Sequence, residues 1–123
     1  MNFTEVRARV PVLAFAAAVG LSGCGAPQAA QPPARSHTIT VRQLLFEPRI
    51  ISVQAGDTIV WVNRDFLRHS ATDAGGAFDV DLPPGATGRI VLRQSGTVKF
   101  FCRYHPGMSG EVRVAAKSQS LRD

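Results

Sequence analysis

Residues 100–110 read Phe-Phe-Cys-Arg-Tyr-His-Pro-Gly-Met-Ser-Gly and lie between two apolar, strand-like runs. Within them, Cys102, His105 and Met108 are evenly spaced, with two residues between each pair. A thiolate and a thioether are soft ligands that favour copper, and imidazole binds copper as well. The segment therefore predicts a loop that presents three metal ligands at the end of a strand.

One more imidazole would complete a trigonal site of two histidines and one cysteine with a distant axial methionine, the arrangement found in blue-copper centres. The chain has only two other histidines, His37 and His69. His69 follows the strongest strand-like run, Thr58 to Asn63, and a turn-like segment, so we favour it. His37 begins the first strand-like run, and we expect it to be exposed and not to bind metal.

Each ligand residue also has an ordinary structural interpretation. A lone cysteine is commonly a buried core residue, an isolated His105 would be a solvated loop residue, and Met108 would fill the core. The spacing of the three makes the joint metal-binding interpretation the stronger one. For His69, a histidine in a surface turn remains a competing interpretation.

Several motifs together resemble the small cupredoxins, most closely the amicyanin-like and plastocyanin-like members. The short spacing between His105 and Met108 is similar to the amicyanin type of loop. The motifs that carry the resemblance are Phe46-Glu47-Pro48, Ala55-Gly56-Asp57-Thr58, Trp61-Val62-Asn63, His69 and the loop from Cys102 to Gly110.

The resemblance implies one type 1 copper ion held by His69, Cys102, His105 and Met108, and a protein that carries single electrons and is not an enzyme. It also implies that an electron passes through the edge of His105, beside an apolar surface patch. One position departs from the family pattern. The residue after the first histidine ligand is commonly Asn, which ties the ligand loops together, and here it is Ser70.

The rest of the chain predicts an all-β fold, a Greek-key β-sandwich. Short alternating runs are separated by turn residues, and no amphipathic helix of convincing length is present. Two of these runs, 89–93 and 97–102, flank Gln94-Ser95-Gly96 and predict a hairpin. The polar, Gly-rich segment 64–76 predicts a loop. On the run before the metal loop, Val98, Phe100 and Cys102 share one face, which points the thiol toward the core.

The N-terminal residues predict an export signal. Arg7 and Arg9 precede a short apolar run, and Leu21-Ser22-Gly23-Cys24 resembles the bacterial lipobox. We therefore expect residues 1–23 to be a lipoprotein-type signal peptide, Cys24 to be lipidated and residues 24–36 to form a Pro/Ala-rich tether. A copper-binding domain over 37–116 and a polar tail over 117–123 follow. The alternative is an ordinary signal peptide in which Cys24 is incidental.

Export leads to a prediction about the cysteines. An oxidising compartment favours disulfides, yet Cys24 and Cys102 are the only cysteines in the chain. If Cys24 carries lipid, Cys102 has no partner, and a metal would protect its thiol. A dinuclear copper centre needs two loop cysteines and is therefore disfavoured.

The net charge of +5 falls to +4 when residues 1–23 are removed, because they contain two arginines and one glutamate. The basic residues are scattered without interleaved aromatic residues, which argues against nucleic acid. We expect redox protein partners, a donor and an acceptor, with acidic docking surfaces. Arg64, Arg68 and Arg103 form either a basic docking face or scattered surface charge.

Asp79 and Asp81 lie on one face of a strand-like run. They suggest a catalytic or calcium-binding pair, but a solvated strand face explains them better.

These features are consistent with three functions. The favoured one is a monomeric blue copper protein that is lipid-anchored at the outer side of a bacterial membrane, facing the periplasm or the cell exterior, and carries electrons. The second is a copper-binding lipoprotein for copper delivery, storage or sensing. The third is a metal-free adhesive or structural sandwich.

Overall fold

The computed structural model describes residues 20, 23, 25 and 32–118. The predicted signal peptide, the Cys24 lipidation site, most of the tether and the end of the tail lie outside these residues. Among the described residues, no helix is long and apolar enough to cross a membrane. The strands are β1 (Ser36–Arg42), β2 (Leu45–Glu47), β3 (Ile50–Gln54), β4 (Thr58–Asn63), β5 (His69–Asp73), β6 (Asp79–Leu82), β7 (Thr87–Val91), β8 (Gly96–Phe101) and β9 (Ser109–Ala115).

The strands form two mixed sheets. One sheet has the order β2-β1-β4-β7 and the other has the order β3-β9-β8-β5-β6. The β1–β4 and β3–β9 pairs are parallel, and the other pairs are antiparallel. This arrangement confirms the predicted all-β sandwich.

The core lies between the sheets and is built around aromatic side chains. Trp61 on β4 and Phe100 on β8 are fully buried, with ring centroids 5.6 Å apart in an edge-to-face arrangement. Phe46 packs against Phe100 at 4.8 Å, and Phe78 packs against Trp61 at 5.7 Å. Large aromatic side chains dominate the burial energy of a small domain. These contacts tie β4 to β8, which is the strand that leads into the metal loop.

The predicted hairpin between the runs 89–93 and 97–102 is wrong. The first run forms β7, which pairs with β4, whereas the second forms β8, which pairs with β9 and β5 in the other sheet. After β7, the Leu92 amide donates to the Asp57 carbonyl, and the Leu92 carbonyl accepts from Gly56. These bonds hold the chain against the β3–β4 turn, so that Gln94-Ser95-Gly96 carries it across to the other sheet.

The predicted loop over 64–76 contains a strand that the sequence did not indicate. β5 begins at His69, and its first three residues, His69, Ser70 and Ala71, are all fully buried. Strand prediction depends on alternation between buried and exposed positions, which this segment lacks. It pairs with β6 on one side, and on the other side with β8 through Thr72 and Asp73.

A buried carboxylate joins the start of β1 to the β3–β4 turn, at the end of β4 away from Asn63. Asp57 accepts hydrogen bonds from the amides of Arg35 and Gln54, each at 3.0 Å, and contacts Nε2 of His37 at 2.9 Å. The expectation that His37 is exposed is wrong, because its side chain is only 24% exposed. The pairing with Asp57 explains this burial.

We predict that Asp57 makes the fold sensitive to acid. Burial opposes its ionisation, but the hydrogen bonds from Arg35, Gln54 and His37 lower the pKa of Asp57 from 3.8 to about 2. The ionised carboxylate therefore contributes stability that is present above pH 3.8 and is lost as the pH falls to about 2. In chemical denaturation of the metal-free protein, Asp57→Asn should be less stable than the unsubstituted protein at pH 6.

The difference in free energy of unfolding should then shrink between pH 4 and pH 2. Glu47→Gln is the control, because its ion pair with Arg42 is largely exposed and contributes little. A difference that stays constant over this pH range would contradict the prediction.

Candidate metal centre

The candidate ligands come from two adjoining elements at one end of the sandwich. His69 is the first residue of β5, and Cys102, His105 and Met108 lie in the connection between β8 and β9. Along β8 the odd positions face outward and the even ones inward, so that Phe100 and then Cys102 are buried. Burial thus follows the alternation predicted for this strand, and the Cys102 side chain lies on the core side.

Three candidate ligand atoms converge at this end. Cys102 Sγ lies 3.7 Å from His69 Nδ1 and 3.5 Å from His105 Nδ1, and all three atoms lie within 4.8 Å of one another. His69 and Cys102 are buried, whereas His105 is half-buried. Both histidines therefore present Nδ1 to the thiol, and the edge of His105 is the part of this group that solvent reaches.

The two sulfur-to-nitrogen separations match a metal held by sulfur and nitrogen. For zinc, bonds are about 2.3 Å to a thiolate and about 2.0 Å to an imidazole. Such bonds, with angles of about 110° to 120° at the metal, separate sulfur and nitrogen by about 3.5 to 3.7 Å. The observed sulfur-to-nitrogen distances lie in this range. Because the donors are one thiol and two imidazoles, the residues fit copper.

The backbone closes the loop tightly around this group. The Cys102 amide donates to the Met108 carbonyl at 3.0 Å, and the Met108 amide donates to the His105 carbonyl at 3.3 Å. The first bond continues the β8–β9 ladder beyond its last pair, Phe101 with Ser109. Met108 is buried with 5% exposure. The closure brings the methionine back to the cysteine end of the loop.

Gly110 allows the strand after the loop to pass close to the core. A Cβ built at Gly110 would clash with the ring of Phe100 and would lie 2.9 Å from the Arg49 carbonyl oxygen. Because no larger residue fits there without a shift, the Phe100 ring can pack directly beneath the β9 backbone. This packing fixes the position of Phe100, which lies two residues before Cys102.

A carboxylate that the sequence analysis missed orients His69. Asp65 Oδ2 lies 2.8 Å from His69 Nε2, on the side of the ring away from Cys102. A carboxylate hydrogen-bonded to the second nitrogen of a ligating histidine sets its tautomer and orientation. The only sequence signal was an acid four residues before His69, at the start of the turn-like segment.

Asp65 is itself held by backbone amides. It accepts from Gln43 at 2.6 Å and from Leu44 at 3.1 Å, both at positive φ in the β1–β2 turn. Burial opposes ionisation, but these two amides and His69 lower the pKa of Asp65 below its usual value. The acceptor for His69 is therefore an ionised, preoriented carboxylate.

Asn63 supports the loop that carries Asp65. It is 1% exposed, and its Nδ2 donates to the carbonyls of Leu67 and Leu82 at 2.8 Å each. Its Oδ1 accepts from the Asp65 amide at 2.9 Å. One buried side chain thus joins the end of β4, the loop before His69 and the end of β6.

Ser70 replaces the asparagine expected after the first histidine ligand and still connects the two ligand elements. Its Oγ accepts from the Arg103 amide at 2.9 Å and contacts Thr72 Oγ1 at 2.9 Å. The side chain is fully buried. The hydroxyl thus makes a direct hydrogen bond from β5 to the residue after Cys102.

The two strand carboxylates next to the site bind arginines. Asp79 pairs with Arg103, and Asp81 pairs with both Arg68 and Arg103. The hydrogen bond from Arg68, together with Tyr104 and the nearby arginine charges, outweighs burial and lowers the pKa of Asp81 to about 2. Both acids therefore form ion pairs, which largely neutralise the positive charges of Arg68 and Arg103.

Apolar side chains are exposed around the ligand end. Phe66 is 99% exposed, and Leu44, Leu45 and Leu67 are between 45% and 55% exposed. Leu44 and Leu45 line a surface cavity of about 70 Å³ together with Arg49, Gly107 and Met108. Among the described residues, no ion pair involves Arg49. We call Leu44, Leu45, Phe66 and Leu67 the apolar rim.

Comparison with known proteins identifies relatives with this architecture. Residues 12–114 match the family described as Cupredoxin-like domain. Amicyanin from Paracoccus versutus is 26% identical over 92 residues, which cover 70% of this chain and 70% of that protein. Plastocyanin from Vicia faba is 33% identical over 87 residues, which cover 58% of this chain and 88% of that protein.

Solved structures share the fold. A reduced amicyanin variant superposes with a TM-score of 0.60 at 24% identity, covering 65% of this chain and 82% of that one. A purple cupredoxin from Nitrosopumilus maritimus superposes with a TM-score of 0.57 at 22% identity, covering 63% of this chain and 98% of that one. The family match spans most of the sequence, and the sandwich agrees with it: this chain belongs to the cupredoxin-like family.

Proposed function

We propose that this protein is a type 1 copper protein that carries single electrons between redox proteins on the outer side of a bacterial membrane. The observation that carries the proposal is the approach of the Cys102 thiol to Nδ1 of both His69 and His105, at 3.7 and 3.5 Å. We assign the ligands as His69, Cys102, His105 and Met108.

Membership of the family supports the cofactor and the class of function. Cupredoxins such as amicyanin and plastocyanin are copper electron carriers and not enzymes. The predicted copper cofactor and the prediction that this chain is not an enzyme are therefore confirmed. The ligand assignment, the redox partners and the membrane location are our proposals.

The residues of the site favour fast electron transfer. A bound copper ion supplies a one-electron couple, and its potential is tuned by the axial ligand and the surroundings of the thiolate. Asp65 holds His69 in one tautomer, and the loop hydrogen bonds hold Cys102 close to Met108. Ligands that are already oriented in the protein need little rearrangement when the charge of the metal changes.

The apolar rim and the half-buried edge of His105 suggest where a redox protein docks. An exposed apolar surface at one end of a small protein is typical of an interaction site. Arg49 borders the cavity beside Met108 and makes a long hydrogen bond of 3.4 Å to Ser109. Its positive charge favours a partner with acidic groups around an apolar contact.

We predict an intense visible absorption when Cu(II) is added to the protein, caused by charge transfer from the Cys102 thiolate. Cys102→Ser should lose this band entirely, because a hydroxyl does not supply the thiolate. The measurement is the visible spectrum of both proteins after titration with one equivalent of Cu(II). His37→Ala is the matched control and should keep the full band, since His37 pairs with Asp57.

The same spectra separate the alternatives. A pale complex in the unsubstituted protein would favour copper delivery, storage or sensing over electron transfer. The absence of copper binding would favour a metal-free structural sandwich. Fast electron self-exchange with an intense band would count against the copper-handling alternative.

We predict that Met108 raises the reduction potential of the bound copper. A thioether is a soft, weak ligand that favours Cu(I), whereas an amide oxygen is a harder ligand that favours Cu(II). Met108→Gln should therefore lower the potential measured by protein-film voltammetry while the charge-transfer band persists. Met108→Leu is the comparison that removes the ligand without adding an oxygen. An unchanged potential in Met108→Gln would show that Met108 is not the axial ligand.

We further propose that the domain is anchored to the membrane by lipid on Cys24, which follows Leu21-Ser22-Gly23. Acyl chains contribute about 0.8 kcal/mol per buried CH₂ group, so that several chains anchor a small protein stably. In a bacterial host, the protein should be recovered in the membrane fraction and take up labelled fatty acid. Cys24→Ser should take up no labelled fatty acid, whereas Cys102→Ser should be labelled as strongly as the unsubstituted protein. Fatty-acid labelling of Cys24→Ser at the level of the unsubstituted protein would refute lipid attachment at this residue.

A further inference from the structure

One carboxylate on an edge strand contacts the neighbours of every strong ligand in the site. Asp81 lies on β6, the last strand of its sheet. Its Oδ1 accepts from Arg68 Nε at 3.0 Å, from the Tyr104 hydroxyl at 3.0 Å and from Arg103 Nη2 at 3.3 Å. Its Oδ2 accepts a second bond from Arg68. We call Asp81, Arg68, Arg103 and Tyr104 the Asp81 hub.

The chain positions of the three donors give the hub its significance. Arg68 directly precedes the first proposed histidine ligand. Arg103 directly follows the cysteine ligand, and Tyr104 directly precedes the second histidine ligand. The two ligand elements are separated in the chain by β6, β7 and β8. Their residues nevertheless converge on the same two oxygen atoms of Asp81.

The donors also support one another. Arg103 Nη2 donates to the Tyr104 hydroxyl at 2.9 Å, and its guanidinium lies 4.9 Å from the centre of the Tyr104 ring. The Arg68 guanidinium lies 5.7 Å from the same ring. The phenol ring is thus contacted by two cations while its hydroxyl group binds Asp81.

A second carboxylate extends these contacts to the residue after the first histidine ligand. Arg103 Nη1 donates to Asp79 Oδ2 at 2.5 Å, and Asp79 Oδ1 accepts from Thr72 at 2.7 Å. Thr72 contacts Ser70, whose hydroxyl accepts from the Arg103 amide. The side chain and the backbone of Arg103 are therefore both held.

We infer that Asp81 is a positioning residue for the metal centre. It acts through Arg68, Arg103 and Tyr104 and holds the chain beside His69, Cys102 and His105 in the metal-binding arrangement. A single exposed ion pair contributes little, but two arginines and a phenol that share one carboxylate form a network in which one arginine is bidentate. The inference rests on the copper site proposed above.

The test uses Asp81→Ala in the full chain, with Cu(II) as the probe. Outer-shell partners of metal ligands commonly change metal affinity by about 10- to 100-fold. We expect the variant to lose copper to a chelator about tenfold faster than the unsubstituted protein. Its reduction potential and the Cu(II) hyperfine splitting in electron paramagnetic resonance should shift as well, because the positions of the ligand side chains are less restricted.

Glu47→Ala is the matched control. It also removes an exposed carboxylate from an ion pair, with Arg42, but neither residue is next to a ligand. Its copper-loss rate, potential and hyperfine splitting should match those of the unsubstituted protein. A change in Asp81→Ala that is confined to thermal stability, with all three copper readouts unchanged, would overturn the inference.

Tyr104→Phe tests the same network by a milder change, in case Asp81→Ala folds poorly. It removes the hydroxyl that binds Asp81 and keeps the ring between the two guanidinium groups. It should accelerate copper loss in the same direction by a smaller factor. Its effect should be smaller in the Asp81→Ala background than in the unsubstituted protein, because the two changes remove one shared contact. Full additivity of the two effects would count against the hub.

A readout without metal separates this inference from the proposed function. In the metal-free protein, NMR order parameters of the Arg103 and Tyr104 amides should fall in Asp81→Ala and stay unchanged in Glu47→Ala. If the unsubstituted protein failed to give the charge-transfer band, the copper assignment would fail. The order parameters would still decide whether Asp81 holds the loop, and unchanged values would overturn that role.

Discussion

The hydrogen bond from the Cys102 amide to the Met108 carbonyl is the constraint on which the site depends. It extends the β8–β9 ladder by one step, so that the two strands position the ligand loop directly. The Phe100 ring lies beneath Gly110, and its aromatic contacts reach Trp61 in the opposite sheet. The position of the thiol is therefore coupled to the packing of the whole sandwich.

The part of the site on β5 is stabilised by polar contacts, and this strand lacks the usual alternation of buried and exposed residues. His69, Ser70 and Ala71 are buried in succession at the start of β5. Burying a polar side chain is costly unless it finds a hydrogen-bond partner. Asp65 satisfies His69, and Ser70 binds both Thr72 and the Arg103 amide. These polar contacts allow the histidine to sit in the interior with Nδ1 directed at the thiol.

The sequence predicted the fold class and the loop ligands because those features are local. Alternation marks most of the strands, and the spacing of Cys102, His105 and Met108 marks the loop. Prediction from the sequence failed where contacts between distant residues determine the local structure. β5 lacks alternation, and the Gln94-Ser95-Gly96 turn connects two sheets instead of two paired strands. The assignment of the four ligands to copper stays a prediction that the geometry supports.

The sequence pattern also could not predict which residues form ion pairs with one another. In sequence, Arg64, Arg68 and Arg103 suggested either a basic docking face or scattered surface charge, and Asp79 and Asp81 suggested a solvated strand face. Folding places β6 beside β5, with Asp81 in register with Ser70, so that the charges of Arg68, Arg103 and Asp81 meet next to the ligands. Leu44, Leu45 and Arg49 lie on another part of this surface, beside Gly107 and Met108. Asp81 neutralises positive charge at Arg68 and Arg103, and through the same contacts it connects the two ligand elements.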